Sequence, residues 1–166
     1  MLAPFNWLIR NGEALISAVA FAAMVLAISF NVILRFFTGG SMVATEEIAY
    51  LGFAYSIFFA LTILYRHRAM IAVDFIVDSL PPRLHYAVSL FNGVILLVAT
   101  AYLTWLSYKL AAGGWIRRTA FLNIPYFYVN LAPTLSFALM TIYSLYFLIQ
   151  ILLGREMKDA DLEDQM

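Results

Sequence analysis

Two adjacent carboxylates, Glu46 and Glu47, with Arg35 and Asn31 upstream of them, form the densest group of chemically capable side chains in the chain. Glu13 stands apart near the N-terminus, and Asp74 and Asp78 lie four residues apart in the middle. The histidines are His67 and His85. A carboxylate held inside a membrane can exchange a proton for a cation, and two axial histidines inside helices can hold haem. A carboxylate pair beside an arginine at a membrane surface does neither; it offers charge to a neighbouring protein. The chain has no cysteine, so disulfides, thiolate metal sites and cysteine nucleophiles are excluded.

The elements that must position these groups are apolar. The 166 residues are 64% hydrophobic and 12% charged, against about 45 to 50% apolar in a soluble domain. This is the composition of an integral membrane protein. Formal net charge is zero and no basic run lies outside the loop corners, so nucleic acid is not a predicted partner.

Four stretches reach the roughly 20 apolar residues needed to cross a bilayer. They run over 14–34, 46–65, 84–108 and 126–153, the second having its apolar part from Ile48, its start near Glu46 and Thr45 as N-cap. Arg10 before the first stretch, with Ala18-Val19-Ala20 inside it, resembles a signal peptide. The apolar run continues to Leu34, beyond an h-region of about 7 to 15 residues, and is read as a retained span. None of the four apolar stretches contains Asp, Glu, Lys or Arg once Glu46 and Glu47 are placed at the edge of the second.

In the first span Ala14, Ala18, Ala22 and Ser29 share a face, which predicts a packing seam where backbones approach closely. Asn31, four residues before Arg35, predicts a short polar stripe. Glu46 and Glu47 fall in the first turn of the second helix, where carboxylates complement the helix dipole; being adjacent, the two cannot share one partner face, so one is expected to look outward. Between spans two and three, Val73, Ile76, Val77 and Leu80 form one face and Asp74 with Asp78 another. This predicts a short amphipathic interfacial helix over 69–80, stopped by Pro81 and Pro82. Pro133 should kink the last span and free a carbonyl for which Asn130 and Thr134 are candidate partners. Arg66, Arg68, Trp115, Arg117 and Arg118, with Tyr126, are expected membrane-interface anchors. The acidic tail over 155–166 is expected to be mobile.

Four spans put both termini on one side. That side carries six basic residues, Arg10, Arg66, Arg68, Arg83, Arg155 and Lys158; the other carries four, Arg35, Lys109, Arg117 and Arg118. The excess predicts cytoplasmic termini, with the Arg35–Glu47 corner and the Trp115 loop outside.

At that corner and in the region after it the chain resembles the small four-helix membrane subunit of tripartite ATP-independent periplasmic (TRAP) transporters, the DctQ type. The resemblance rests on Asn31-Val-Ile-Leu-Arg35-Phe36, on Glu46-Glu47-Ile-Ala, and on the Arg66 corner leading to Ile71-Ala-Val73-Asp74. Leu80-Pro81, Ile124-Pro125 and Pro133 complete it in the same order, over roughly Arg10 to Leu153. The chain departs from the pattern at Ala44, Tyr50 and Met70, where relatives often carry tryptophan, arginine and histidine.

The resemblance implies an all-α membrane protein of the bacterial or archaeal inner membrane, without catalytic residues, cofactor or metal. It implies a scaffold that binds a large membrane subunit in sodium-coupled uptake of an organic acid anion delivered by a periplasmic binding protein. C4-dicarboxylates, sialic acids and 2-oxo acids are substrates in the family, and membrane lipids surround the subunit. Asn31, Arg35, Glu46, Glu47, Asp74 and Asp78 are the expected partner-facing or docking residues. Two other readings stand beside this one: a small four-helix proton-coupled antiporter using Glu13, and the membrane anchor of a respiratory enzyme. Neither histidine lies at the centre of a span, which argues against haem in the second.

Overall fold

The computed structural model describes residues 3–40, 42–67 and 82–153. Four helices span them: α1 (Ala3–Thr38), α2 (Val43–Arg66), α3 (Pro82–Gly113) and α4 (Tyr126–Leu152). Each contains a segment long and apolar enough to cross a membrane. The expected arm over 69–80 lies outside the described residues, and with it Asp74, Asp78 and Arg68.

At about 1.5 Å per residue, α1 extends about 54 Å and α3 about 48 Å, well beyond a hydrocarbon core of about 30 Å. Both therefore project past the bilayer. α1 reaches Ala3, so Glu13 is a helical residue inside the first helix rather than a residue before it.

The helices pack in single file, α1 on α2, α2 on α4 and α4 on α3. α1 therefore packs its backbone on α2, and reaches α4 through the Glu13 side chain. Its less exposed residues are Glu13, Ser17, Ala20, Met24, Ala27, Asn31 and Leu34, spaced alternately by three and four. That spacing keeps one stripe of a helix on a neighbour. Ala14, Ala18, Ala22 and Ser29, the expected seam, lie on the exposed surface beside it. The reason is on α2: a Cβ at Gly52 would stand 2.8 Å from the Ala20 carbonyl oxygen and 3.1 Å from Met24 Cβ. The missing side chain of Gly52 sets which face of α1 approaches, and no feature of α1 reveals it.

The seams among α2, α4 and α3 are joined by hydroxyls. Thr62 and Ser136 are fully buried with their oxygens 2.6 Å apart, and Ser136 also donates to the Phe58 carbonyl at 2.7 Å. One helical step further along, Tyr65 bonds Ser144, and Thr104 meets Thr141 at 3.1 Å between α3 and α4. Ser17 of α1 donates to the Ser56 carbonyl of α2 at 2.9 Å. Small hydroxyl residues serve twice here: they let helices approach, and they satisfy one another where water is absent.

Pro133 leaves the first turns of α4 short of one amide donor. Tyr55 of α2 donates to the Tyr128 carbonyl at 2.9 Å, and Thr134 donates to the Asn130 carbonyl at 2.8 Å. The Asn130 amide instead reaches the Leu110 carbonyl of α3 at 3.3 Å. The carbonyl that Pro133 frees is that of Val129, and neither expected partner binds it: Thr134 bonds the Asn130 carbonyl and Asn130 ties the turn to the next helix.

Candidate functional site

The corner between α1 and α2 is built by a stop and a capture. Gly39, at φ 72°, takes the left-handed conformation that ends α1, and its amide donates back to the Arg35 carbonyl at 2.9 Å. Asn31, one turn before Arg35, then accepts the Met42 amide on its side-chain oxygen at 3.0 Å. The same side chain donates to Glu46 Oε1 at 3.4 Å. Asn31 thus holds both the entry to α2 and the first carboxylate of the pair.

Helix α2 starts earlier than the capping pattern predicts. Its N-cap is Met42, and Thr45 lies inside the first turn with its hydroxyl donating to the Met42 carbonyl at 2.6 Å. A Thr cap serves first-turn amides from its own side chain; here the N-cap Met42 has no side-chain acceptor, and Asn31 of the preceding helix binds the Met42 amide instead.

Glu46 and Glu47 are separated by their surroundings. Glu47 turns toward the segment joining α3 and α4, where Oε1 accepts the Phe121 amide at 2.8 Å and Oε2 the Leu122 amide at 2.9 Å. That segment is a small hairpin: the Thr119 amide donates to the Ile124 carbonyl at 2.9 Å, the Tyr126 amide to the Arg117 carbonyl at 2.9 Å, and Arg118 bridges Pro125. Asn123 at φ 54° makes the tight turn, a conformation asparagine tolerates better than most residues. The turn leaves successive amides pointing outward as a concavity for an anion, and Glu47 fills it. Glu46 is exposed and accepts from the Asn31 side-chain amide at the long limit of a hydrogen bond.

Between the first turns of α2 and this hairpin lies a cleft of about 280 Å³. Glu46, Tyr50 and Leu51 line one side, and Thr119, Ile124 and Tyr126 the other. The Arg117 guanidinium stands 5.5 Å from the centre of the Tyr126 ring. The hairpin is pressed onto α4 at Gly114, where a Cβ would stand 2.6 Å from the Phe127 amide nitrogen, and Trp115 stacks on Phe127 at 4.6 Å.

Arg35 is exposed and forms no ion pair with a described carboxylate. The expected polar corner is thus divided: Asn31 and Glu46 touch, Glu47 binds the hairpin, and Arg35 stands free of both. Arg117 and Arg118 are exposed at the hairpin, and Trp115 is about half exposed.

A second polar group lies at the opposite end of α2. Glu13 of α1 accepts a hydrogen bond on Oε1 from the Tyr143 hydroxyl of α4, and its Oε2 stands 3.7 Å from Arg66 Nη1 of α2. That separation is an ion pair rather than a hydrogen bond. With the Glu13 side chain 11% exposed and the Arg66 side chain 26%, the group is a clasp uniting three helices. Arg66, an expected interface anchor, spends its charge here; the sequence pointed to Glu13 as a lone membrane carboxylate and held no sign of Tyr143 as its partner. Among the described residues no group of three or more His, Cys, Asp and Glu side chains could hold a metal ion.

Residues 24–154 match the family described as tripartite ATP-independent periplasmic transporters, DctQ component. The chain is also similar to a protein of Haemophilus influenzae named as a TRAP transporter small permease protein, with 23% identity over 121 residues that cover 73% of each chain. The matched residues take in the C-terminal part of α1 from Met24, the Glu46–Glu47 corner, the hairpin and all of α4. With four apolar helices and hydroxyl-sealed seams, the chain belongs to the DctQ family, the small multi-pass membrane component of TRAP transporters.

Proposed function

We propose that this subunit is a fixed scaffold that seats the large membrane subunit of its transporter. In this reading the large subunit carries an organic acid anion inward with sodium, and a periplasmic binding protein delivers the anion. The observation that carries the reading is the single-file packing of the helices. α1 packs along one helix, α2, with a side-chain contact to α4 at Glu13; none of the residues in its membrane-spanning segment is buried, and Ala14, Ala18, Ala22 and Ser29 face outward. Small exposed residues on a membrane helix allow close approach by another helix, a contact that lipid does not need.

The polar groups support the same role. The hydroxyls buried between helices bond one another or a backbone carbonyl, Glu47 is held by amides, and Glu13 is engaged by Tyr143 and Arg66. Ion and anion handling then falls to the large subunit, and this chain widens the immobile part against which that subunit moves. Both termini are cytoplasmic in this arrangement, in the inner membrane, and the Glu46 corner and hairpin face the periplasm. Asn31, Arg35 and Glu46 would be offered to partners there, and Asp74 and Asp78 on the cytoplasmic side.

The test is assembly followed by transport. The chain is co-expressed with its large subunit, purified in mild detergent and reconstituted in vesicles. A stoichiometric heteromer whose sodium-dependent uptake of an organic acid requires the soluble protein supports the proposal. Full uptake by the large subunit without this chain defeats it.

A further inference from the structure

Resting on the scaffold reading above, we propose that the cleft between α2 and the α3–α4 hairpin is a receptor slot for one basic side chain, lysine or arginine, of the soluble binding protein. The two neighbouring carboxylates have been given different work. Glu47 spends both oxygens on the Phe121 and Leu122 amides and builds the far wall of the slot. Glu46, on the same cleft, has Oε1 at 3.4 Å from the Asn31 amide, and its Oε2 bonds no described group. Glu47 therefore adds its charge to the cleft with its oxygens already taken by amides, while Glu46 presents a carboxylate with acceptor capacity to spare.

The remaining walls suit the stem of a long cationic side chain. Leu51 and Ile124 are apolar, and Tyr50, 56% exposed, presents an aromatic surface at the opening. Lysine and arginine bury their methylenes against such surfaces while the charged head seeks a carboxylate. Tyr126 already has the Arg117 guanidinium over its ring, so an incoming cation is directed to the Glu46 side. The exposed residues of the slot, Val43, Glu46, Tyr50 and Ala120, belong to the first two turns of α2 and the tip of the hairpin. This places the opening at the end of the membrane segment, within reach of a protein arriving from water. A charge so placed acts on encounter rate and register, which suits a partner that must arrive, deliver and leave.

The experiment uses the heteromer in vesicles or nanodiscs and measures its affinity for the soluble binding protein at about 50 and 300 mM salt. Glu46→Gln preserves size and the Asn31 contact, so assembly with the large subunit is expected to be unchanged. Affinity should fall roughly tenfold at low salt, by more for Glu46→Lys, and the wild-type salt dependence should flatten. Ala120→Trp, which obstructs the opening without altering charge, should weaken binding at both salts. Unchanged affinity in all three variants overturns the slot while leaving the scaffold reading intact. Loss of the heteromer in Glu46→Gln also overturns it, because Glu46 would then serve the large subunit. Failure of the wild-type chain to assemble with a large subunit overturns the scaffold reading and the slot with it.

Discussion

The hydroxyls of Thr62 and Ser136 lie 2.6 Å apart, both side chains wholly buried, where α2 meets α4. Each also lies within reach of the Phe58 carbonyl, Thr62 at 3.1 Å and Ser136 at 2.7 Å, so three oxygens from two helices share two hydroxyl protons. Hydrogen bonds between membrane helices are worth about 0.6 kcal/mol in double-mutant cycles. Ser136→Ala and Thr62→Ala should each lower stability by about 0.5 to 1.5 kcal/mol, and the pair should couple by about 0.6 kcal/mol. Ser136→Leu should cost more, because the seam has no space for the side chain. Unfolding in mixed detergent micelles checks all four; full additivity of the two alanine changes would remove the bond as a source of stability.

Gly52 is expected to be less tolerant than any hydroxyl. A methyl group there meets the Ala20 carbonyl oxygen at 2.8 Å, and a backbone atom cannot swing aside as a side-chain tip does. Gly52→Ala should cost about 1 to 3 kcal/mol through displacement of α1. It should also break the Ser17 to Ser56 hydrogen bond. Cysteines at positions 20 and 52 in an otherwise cysteine-free chain cannot test this without repeating the change, so the pair 17 and 56, adjacent across the same seam, serves. Cross-linking there should be slower in the Gly52→Ala background.

What was legible in the sequence divides along physical lines. The four spans are readable because a bilayer imposes length and apolarity on every crossing segment, and Asn31 and Glu46 announce a polar corner by type. The seam of α1 is not readable from α1. Ala14, Ala18, Ala20, Ala22, Ala23 and Ala27 put small residues on several faces, and the choice among them is made by Gly52 on another helix. That the two glutamates must part company follows from their adjacency, but which one turns inward does not. The partners of Glu47 are backbone amides 74 and 75 residues away, and amides have no side-chain signature. Thr45 is not the cap because the helix is already under way at Val43, its entry held by Asn31 of the preceding helix, and the Thr45 hydroxyl donates back to the Met42 carbonyl.

The clasp of Glu13, Tyr143 and Arg66 should behave as a structural unit. Tyr143→Phe removes the hydroxyl that Glu13 accepts and should destabilise by about 1 to 2 kcal/mol. Glu13→Gln retains an acceptor for Tyr143 and loses the ion pair with Arg66, whereas Glu13→Ala loses both. The expected order of stability is therefore wild type, then Gln, then Ala. Detergent unfolding midpoints read the order. Proton-coupled cation exchange by the purified chain alone, abolished by Glu13→Gln, would contradict a purely structural clasp.

Glu47 gives the sharpest local readout because its two hydrogen bonds end on two identifiable amides. In the wild-type chain the Phe121 and Leu122 amides should exchange slowly with solvent, although both residues are exposed on a loop. Glu47→Ala should make them exchange at least tenfold faster and open the hairpin to proteolysis within 117–125, with α2 and α4 still protected. Glu47→Asp shortens the side chain by one methylene and should recover at most one of the two amides. Glu46→Ala, whose carboxylate touches neither amide, should leave their exchange unchanged. Hydrogen exchange read by mass spectrometry separates these cases. Equal acceleration in Glu46→Ala and Glu47→Ala would show that the hairpin senses the charge of the corner as a whole, not the geometry of one carboxylate.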